Sequence, residues 1–230
     1  MSMKRSFISK ILILGLLLLP CVNAVAQTAE ADDNQAFLKV MVTAKPEGAT
    51  GAMALVPMEG VEIRLYLPDG KCYKAISLED LTEFRKVTAG CEYVAEIFCR
   101  GYETAIYHGF VSDRPFARAE FYTVKSSVKK TKKLPPFKDP GTADIEGFAV
   151  CPASSWEWVS APLTGATVTY TSSAESVKTK TDRHGYFRFD GIEDKSGKIS
   201  ITHDDCKSAE FSAEPKNGGR WLWLRVKPAR

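Results

Sequence analysis

Hydrophobic and polar residues alternate one by one along much of this chain. Val61, Ile63 and Leu65 are separated by charged or aromatic residues, and Leu222 and Leu224 follow the same rule near the end. Further runs with this period lie at 93–99, 168–170 and 186–190. A period of two predicts β-strands that turn one face toward a core and the other toward water.

Turn-forming residues interrupt these alternating runs. The interruptions that contain glycine lie at 68–70, 89–90, 100–101, 195–197 and 217–219. Short strands separated by frequent turns, without a long stretch of helical periodicity, predict an all-β chain built from β-sandwiches.

The two halves of the chain resemble each other. The segment "PMEGVEIRLY" from Pro57 corresponds to "PLTGATVTY" from Pro162, and "EFRKV" from Glu83 corresponds to "YFRFDGI" from Tyr186. The halves then end in the alternating runs "RAEFYTVK" and "RWLWLRVK". Three similarities in the same order predict a duplicated domain of roughly 80 to 90 residues.

The segment between these halves differs in composition from both. It reads "KSSVKKTKKLPPFKDPGTA" and combines lysines with serine, proline and glycine. Charge repulsion and proline stiffness favour an extended linker, with a basic docking strip as the alternative. We therefore predict β-sandwich domain 1 at 35–124, a linker at 125–143 and β-sandwich domain 2 at 144–230.

The second half carries a more specific pattern, "APLTGATV" followed by "TDRHGYFRFDGI". Gly165 and Gly185 suit backbone positions with positive φ, and Asp182 can cap its own turn. These motifs resemble the carboxypeptidase regulatory-like domain, a transthyretin-like, Ig-like β-sandwich. The first half resembles a diverged copy, in "MEGVEI" and "EFRKVTAGCEYVAEIFCRGYE", without the Thr-Asp-x-x-Gly turn. The resemblance implies a spacer or docking module and not a peptidase.

The N-terminus has the features of an export signal. A basic start at 4–10 is followed directly by an apolar run at 11–19, which is too short to span a bilayer as a helix. Ala24 and Ala26 then form a small-residue cleavage pattern. We predict a signal peptide at 1–26, cleaved after Ala26.

Export predicts a secreted or periplasmic protein and leaves an association with the outer membrane open. A lipoprotein would use Cys21 as the lipidated residue, but Pro20 directly before it fits that pattern poorly. We expect no transmembrane segment in the mature chain, because no later stretch is long and apolar enough.

The charge balance argues against two classes of partner. The chain has 31 Lys and Arg against 28 Asp and Glu, for a formal net charge of +3. The predicted leader carries three basic residues and no acidic ones, so the exported part is formally neutral. A neutral chain has no overall field that draws it to nucleic acid or to anionic lipid.

Candidate catalytic and metal-binding groups are sparse. The histidines at 108, 184 and 203 do not belong to a His-Glu-x-x-His pattern, and no Gly-x-Ser-x-Gly is present. We expect His184 in a solvated turn and "HDD" from His203 in a surface turn. The sequence therefore predicts a protein that is not an enzyme and that has no cofactor and no metal.

Cysteines offer one candidate cross-link. Those after the leader are Cys72, Cys91, Cys99, Cys151 and Cys206. An odd number leaves at least one unpaired within the chain. Cys151 and Cys206 are the two in the second half, and a disulfide between them would stabilise the fold by ~4 kcal/mol in the chain-entropy model. Pairing among the other three stays open, with buried free thiols as the alternative.

The tryptophans are the best candidates for a binding surface. Trp156 and Trp158 lie in "SSWEWVS", and Trp221 and Trp223 lie in "RWLWLRV". If Leu222 faces the core, both late tryptophans lie on the opposite face. Because the first and last strands of such sandwiches are neighbours, all four could form one exposed patch. Packing against the long loop or against the other domain is the second interpretation, and we favour it over a ligand site.

Taken together, these patterns predict an exported, non-enzymatic interaction or structural module of the bacterial cell envelope. It would dock to an envelope or surface protein through sheet edges or through the tryptophans. The alternative is a carbohydrate-binding module, in which the four tryptophan rings stack on sugars.

Overall fold

The computed structural model of the protein describes residues 35–44, 55–78, 81–112, 116–123, 125, 143–153, 156–193, 196–214 and 219–229. Every regular element in these ranges is a β-strand, which confirms the predicted all-β fold. The predicted signal peptide and nearly all of the predicted linker lie outside the described residues. Within the described part of the chain, no helix has the length and apolar character needed to cross a membrane.

Eight strands lie in the N-terminal half, which we define as residues 35–125. They are β1 (Gln35–Ala44), β2 (Val56–Pro57), β3 (Glu62–Tyr66), β4 (Cys72–Ile76), β5 (Thr82–Thr88), β6 (Glu92–Phe98), β7 (Ala105–Phe110) and β8 (Phe116–Thr123). In the first sheet, β1 pairs antiparallel with β2 and β5 and parallel with β8. The second sheet has the order β4-β3-β6-β7 and is antiparallel throughout.

Eight further strands lie in the C-terminal half, residues 143–229. They are β9 (Ile145–Ala153), β10 (Trp156–Pro162), β11 (Thr167–Thr171), β12 (Ser176–Lys180), β13 (Tyr186–Phe189), β14 (Lys198–His203), β15 (Cys206–Ser212) and β16 (Leu222–Arg225). β9 pairs with β10, β13 and, in parallel, β16, and the other sheet has the order β12-β11-β14-β15. Strand for strand, this is the pairing scheme of the N-terminal half.

Each half encloses its own hydrophobic core between its two sheets. In the N-terminal half the core includes Leu38 and Val40 from β1 and Ile63 from β3. In the C-terminal half it includes Phe187 and Leu224. The predicted inward faces of β3, β13 and β16 are therefore confirmed.

The outward faces of two central sheets are buried as well, contrary to the expectation that they face water. Tyr66, Val94 and Ile106 of the β4-β3-β6-β7 sheet form a third buried cluster with Phe148 and Trp221 of the C-terminal half. We call this contact between the halves the junction. Since residues 33–230 pack as one compact unit, the four sheets stack face to face with a buried layer between each pair.

The turn at 182–185 has the conformation that its sequence predicts. The Asp182 carboxylate accepts the backbone N–H groups of His184 at 2.8 Å and Tyr186 at 2.9 Å. Gly185 has a φ of 73°, and a Cβ there would overlap the carbonyl oxygen of Ala149. Only glycine satisfies both requirements without strain, so this turn holds its position beneath β9.

Candidate functional site

The late tryptophans lie at the junction and not on a common exposed surface. Trp221 is 1% exposed and packs edge-on against Phe148, with ring centroids 5.7 Å apart. Trp223 is half-buried, and its ring stacks on His108 of β7 at 5.6 Å. Trp221 also belongs to the buried cluster that contains Tyr66 and Val94 of the N-terminal half, so it packs against the other half of the chain, as the second interpretation expected, and does not form an exposed patch.

The early tryptophans lie on the strand that flanks β9 on the side opposite β16. Trp156 and Trp158 lie in β10, and their side chains are outside the described part of the structure. β10 and β16 both pair with β9, β10 in an antiparallel and β16 in a parallel arrangement. The register places Pro162 of β10 and Arg225 of β16 opposite the same residue of β9, so the two strands flank it.

A cleft of about 260 Å³ opens beside Trp223. It is lined by His108, Phe110, Phe211, Ser212, Glu214, Trp221, Leu222, Trp223 and Leu224, and we call it the β15–β16 cleft. Among the described strands, β7 pairs only with β6, β15 only with β14, and β16 only with β9. Three sheet-edge strands therefore meet around one aromatic cleft.

Aromatic rings give the cleft its apolar wall. Phe110 is 41% exposed, and its ring meets the His108 ring edge-on at 5.4 Å. His108 in turn lies flat against Trp223. Because each ring contacts the next, the wall is a packed series of flat surfaces that can receive an apolar or planar group.

A buried carboxylate holds the His108 side chain of this wall in place. Glu92 of β6 contacts the Nε2 atom of His108 at 2.9 Å, and its side chain is 3% exposed. Its other oxygen accepts the backbone N–H groups of Arg220 and, at 3.1 Å, Trp221. One side chain of the N-terminal half thus holds both a cleft residue and the chain segment that enters β16.

A second buried carboxylate lies deeper in the junction. The Glu96 side chain is 1% exposed and accepts a hydrogen bond from the Tyr66 hydroxyl at 2.8 Å. Arg64 approaches it at 3.3 Å and His184 at 3.9 Å. Burial raises the pKa of Glu96, while the Tyr66 hydrogen bond and the charges of Arg64 and His184 partly offset that increase.

The position of His184 corrects a sequence prediction. We expected a solvated turn residue, but His184 is 5% exposed and its ring lies 6.5 Å from that of Tyr66. The turn itself is present as predicted. It is buried because it points into the other half of the chain.

A further buried carboxylate belongs to the C-terminal half. Glu146 of β9 accepts hydrogen bonds from the Tyr186 hydroxyl and from Nε of Arg220, each at 2.6 Å. Burial, together with this carboxylate, raises the pKa of Tyr186. Glu92, Glu96 and Glu146 were not singled out from the sequence, since alternation marks them only as outward-facing.

The cysteines of the C-terminal half lie next to each other. The Sγ atoms of Cys151 and Cys206 are 3.0 Å apart, and both residues are free thiols in the structure. Burial and the neighbouring thiol raise the pKa of Cys206 to about 12. Their disulfide stays a prediction. Cys72, Cys91 and Cys99 are also free thiols.

Comparisons with known proteins assign no family. No family model matches the chain, so the resemblance to the carboxypeptidase regulatory-like domain stays a prediction. No curated protein matches it either.

Some solved structures show weak similarity. The shaft pilin SpaA of Lactobacillus rhamnosus GG is 10% identical, with a TM-score of 0.32 over 84% of this chain and 97% of that chain. The TIE protein of Bacillus anthracis is 14% identical, with a TM-score of 0.30 over 84% of this chain and 34% of that chain. A minor pilin of Streptococcus agalactiae is 11% identical, with a TM-score of 0.24 over 85% of this chain and 97% of that chain. The fold assignment therefore rests on the strand pairings of this chain.

Proposed function

We propose that the chain is an exported, non-enzymatic structural and interaction module of the bacterial envelope that docks a protein partner in the β15–β16 cleft. The N-terminal leader pattern supports export. The matching strand order of the two halves supports two tandem β-sandwich domains. The observation that carries the proposal is the meeting of three edge strands around an aromatic cleft.

A polypeptide is the occupant that this chemistry suits best. Where β15 and β16 border the cleft, neither pairs with a further described strand on that side, and an extended peptide can match such an edge by strand addition. A volume of about 260 Å³ suits one or two apolar side chains of such a peptide. Apolar anchors in a cleft edged by strands are a recurring mode of peptide recognition.

Contacts in the junction support a cleft whose two walls keep a fixed position relative to each other. Glu92 ties His108 of the N-terminal half to the segment that leads into Trp223. The cleft walls, which come from both halves, are thereby held at one spacing. A prearranged cleft binds its partner without first ordering its own side chains.

Carbohydrate binding is the alternative function. Trp223 and Phe110 offer ring surfaces on which a sugar could stack. Trp221 is buried and contributes no open ring face, which weakens this alternative.

The test is site-specific photocrosslinking on the exported full chain in its own envelope. A photoreactive residue at Ser212 of β15 should form an adduct with a protein, and the same residue at Ser208, exposed on the same strand, should not. The captured protein is then purified and titrated against the wild type and against Phe110→Ala. We expect roughly tenfold weaker binding or more by the variant.

Three results would contradict the proposal. Equal yields of adduct at Ser208 and Ser212 would show that the partner does not bind specifically at the cleft. Equal affinities of the wild type and Phe110→Ala would do the same. A glycan array that binds the wild type and not Trp223→Ala, without a protein adduct, would favour the carbohydrate alternative.

A further inference from the structure

The core of the N-terminal half is completed by residues from the other half. In each half, two edge strands leave a gap between the sheets, which we call the seam. In the N-terminal half the seam lies between β7 and β8, and in the C-terminal half it lies between β15 and β16. Strand β10 packs against both β7 and β8. Val159 of β10, which is 0% exposed, and Ala153 of β9 belong to the N-terminal core. A hairpin from the following sandwich therefore fills this seam.

The strand registers show which residue of β7 in the N-terminal half corresponds to which residue of β15 in the C-terminal half. Tyr107 of β7 lies opposite Ala95, and Phe211 of β15 lies opposite Ile199. Ala95 and Ile199 occupy the same place in the two sheets, counted from Pro57 and Pro162. Tyr107 and Phe211 are therefore equivalent.

Residues of β8 and β16, the strands on the other side of the seam, can be matched in the same way. Phe121 of β8 lies opposite Val42, and Leu224 of β16 lies opposite Ala149. Val42 and Ala149 are equivalent because each precedes the residue that faces the aligned proline. The wall residues Phe211 and Leu224 thus match Tyr107 and Phe121.

The two seams differ in what covers them. In the N-terminal half, Tyr107 stacks on Phe121 at 5.1 Å beneath β10. In the C-terminal half, Phe211 and Leu224 line the β15–β16 cleft, and no described strand occupies the place of β10. The C-terminal seam is thus a vacant copy of a site that is filled elsewhere in the same molecule.

Strands β1 and β2 form a second hairpin, at the position in the N-terminal half that corresponds to β9 and β10. Cys151 pairs with Ala161, and the nine residues beyond that pair include Ala153 and Val159. In the N-terminal half, Ala44 pairs with Val56 in the equivalent register, and eleven residues, 45–55, lie beyond it. Their last four are apolar, "AMAL", and Ala54 holds the position of Val159 when both are counted back from the aligned prolines.

We infer that the occupant of the β15–β16 cleft is a second copy of this chain, which inserts its residues 45–55. This inference rests on the proposed function and names the protein partner. The contact joins different surfaces of the two copies, so it is head-to-tail and leaves a free cleft and a free hairpin at the ends. An assembly built this way grows as an open chain and does not stop at a dimer.

The experiment uses the exported full chain, purified after secretion and studied by sedimentation equilibrium over a concentration series. We expect the average mass of the wild type to rise past the dimer without a plateau. Ser212→Trp obstructs the cleft and Ala54→Asp places a charge on the hairpin. Each should weaken self-association by roughly tenfold or more. Ser208→Trp and Ala174→Asp, both at exposed positions, are the matched controls and should associate as the wild type does.

Mixing the two variants tests the head-to-tail arrangement directly. Ala54→Asp retains an intact cleft and Ser212→Trp an intact hairpin, so their equimolar mixture should form a dimer and nothing larger. Thermal unfolding midpoints equal to that of the wild type establish that the variants are folded. A synthetic peptide of residues 43–57, added to Ala54→Asp, should bind and change the fluorescence of Trp223.

A monomeric wild type at every concentration, failure of the mixture to dimerise, or wild-type association by Ser212→Trp would each overturn the inference. If the wild type is monomeric while a different protein crosslinks at Ser212 and not at Ser208, the inference falls and the proposed function stands. If neither association is found, both fall.

Discussion

The Glu92 carboxylate accepts the backbone N–H of Trp221 at 3.1 Å, across 129 positions of sequence. This bond connects β6 of the N-terminal half to the segment that enters β16. The same side chain contacts His108 at the wall of the β15–β16 cleft. A single buried side chain thus links the junction to the candidate binding site.

Replacing Glu92 by alanine should lower the free energy of unfolding by about 3 kcal/mol. The change leaves the buried N–H of Trp221 without its acceptor and removes the partner of His108. Urea unfolding followed by tryptophan fluorescence measures the loss. Glu210→Ala is the control, because Glu210 is exposed and pairs only loosely with Lys198 at 3.7 Å. It should cost less than about 0.5 kcal/mol, and equal losses would contradict the role of Glu92.

Replacing Glu96 by glutamine should change how stability depends on pH. Burial raises the folded-state pKa of Glu96 above its ordinary value of 4.5. Its contribution to stability is therefore complete below that ordinary value and is lost as the pH rises through the raised pKa. Glutamine does not ionise. The unfolding free energy of Glu96→Gln relative to the wild type should therefore increase from about pH 4.5 toward neutrality.

Glu83 provides a control of opposite sign for that measurement. Its hydrogen bond with Lys39 lowers the pKa of Glu83, so its contribution is present at neutral pH and is lost as the pH falls through the lowered pKa. Relative to the wild type, Glu83→Gln should therefore lose stability as the pH rises. Parallel trends for the two variants would rule out the assignment for Glu96.

Oxidation by a disulfide-bearing oxidant should join Cys151 to Cys206. The two thiols, whose Sγ atoms lie 3.0 Å apart, would transfer two protons and two electrons to the oxidant, whose disulfide is reduced to two thiols. Peptide mapping without reduction should find this cross-link, with a gain of ~4 kcal/mol in unfolding free energy over the reduced protein. In the reduced protein, Cys206 should alkylate slowly at pH 8, because burial raises its pKa to about 12. Rapid alkylation of Cys206 in the exported protein would contradict this prediction.

Replacing Gly147 by alanine should destabilise the C-terminal half. Gly147 of β9 faces Leu222 of β16 in the parallel pair, and an added Cβ would overlap the Leu222 carbonyl oxygen. The strands would have to separate, at a cost of about 2 kcal/mol. Differential scanning calorimetry measures the change. Ser208→Ala on the exposed edge of β15 is the control and should leave the midpoint of thermal unfolding unchanged. An unchanged midpoint for Gly147→Ala would contradict the prediction, because it would show that β16 moves aside without a loss of stability.

Alternation of residue type was sufficient to predict β3, β6, β11, β13 and β16 and their inward faces. Leu222 and Leu224 face the C-terminal core, as a period of two requires. The turn from Asp182 to Gly185 was also predictable, because its capping carboxylate and its glycine act within four residues. These features depend on local chemistry, which a single sequence displays directly.

The burial of the outward faces could not be predicted in this way. Glu62 and Arg64 alternate with apolar residues as exposed positions do, yet they are 8% and 5% exposed. Alternation states which side of a sheet a residue occupies, whereas the covering sheet comes from the far half of the chain. Trp221 was identified as an outward aromatic for the same reason, and its burial depends on Phe148 and on Glu92.

Val159 also constrains the order in which the molecule is completed during synthesis. Strands β1 to β8 precede β10 along the chain, so during synthesis or export the apolar edge between β7 and β8 stays uncovered until β10 follows. A premature stop codon between the halves would therefore release a product with an uncovered apolar edge, a substrate for proteases and for aggregation.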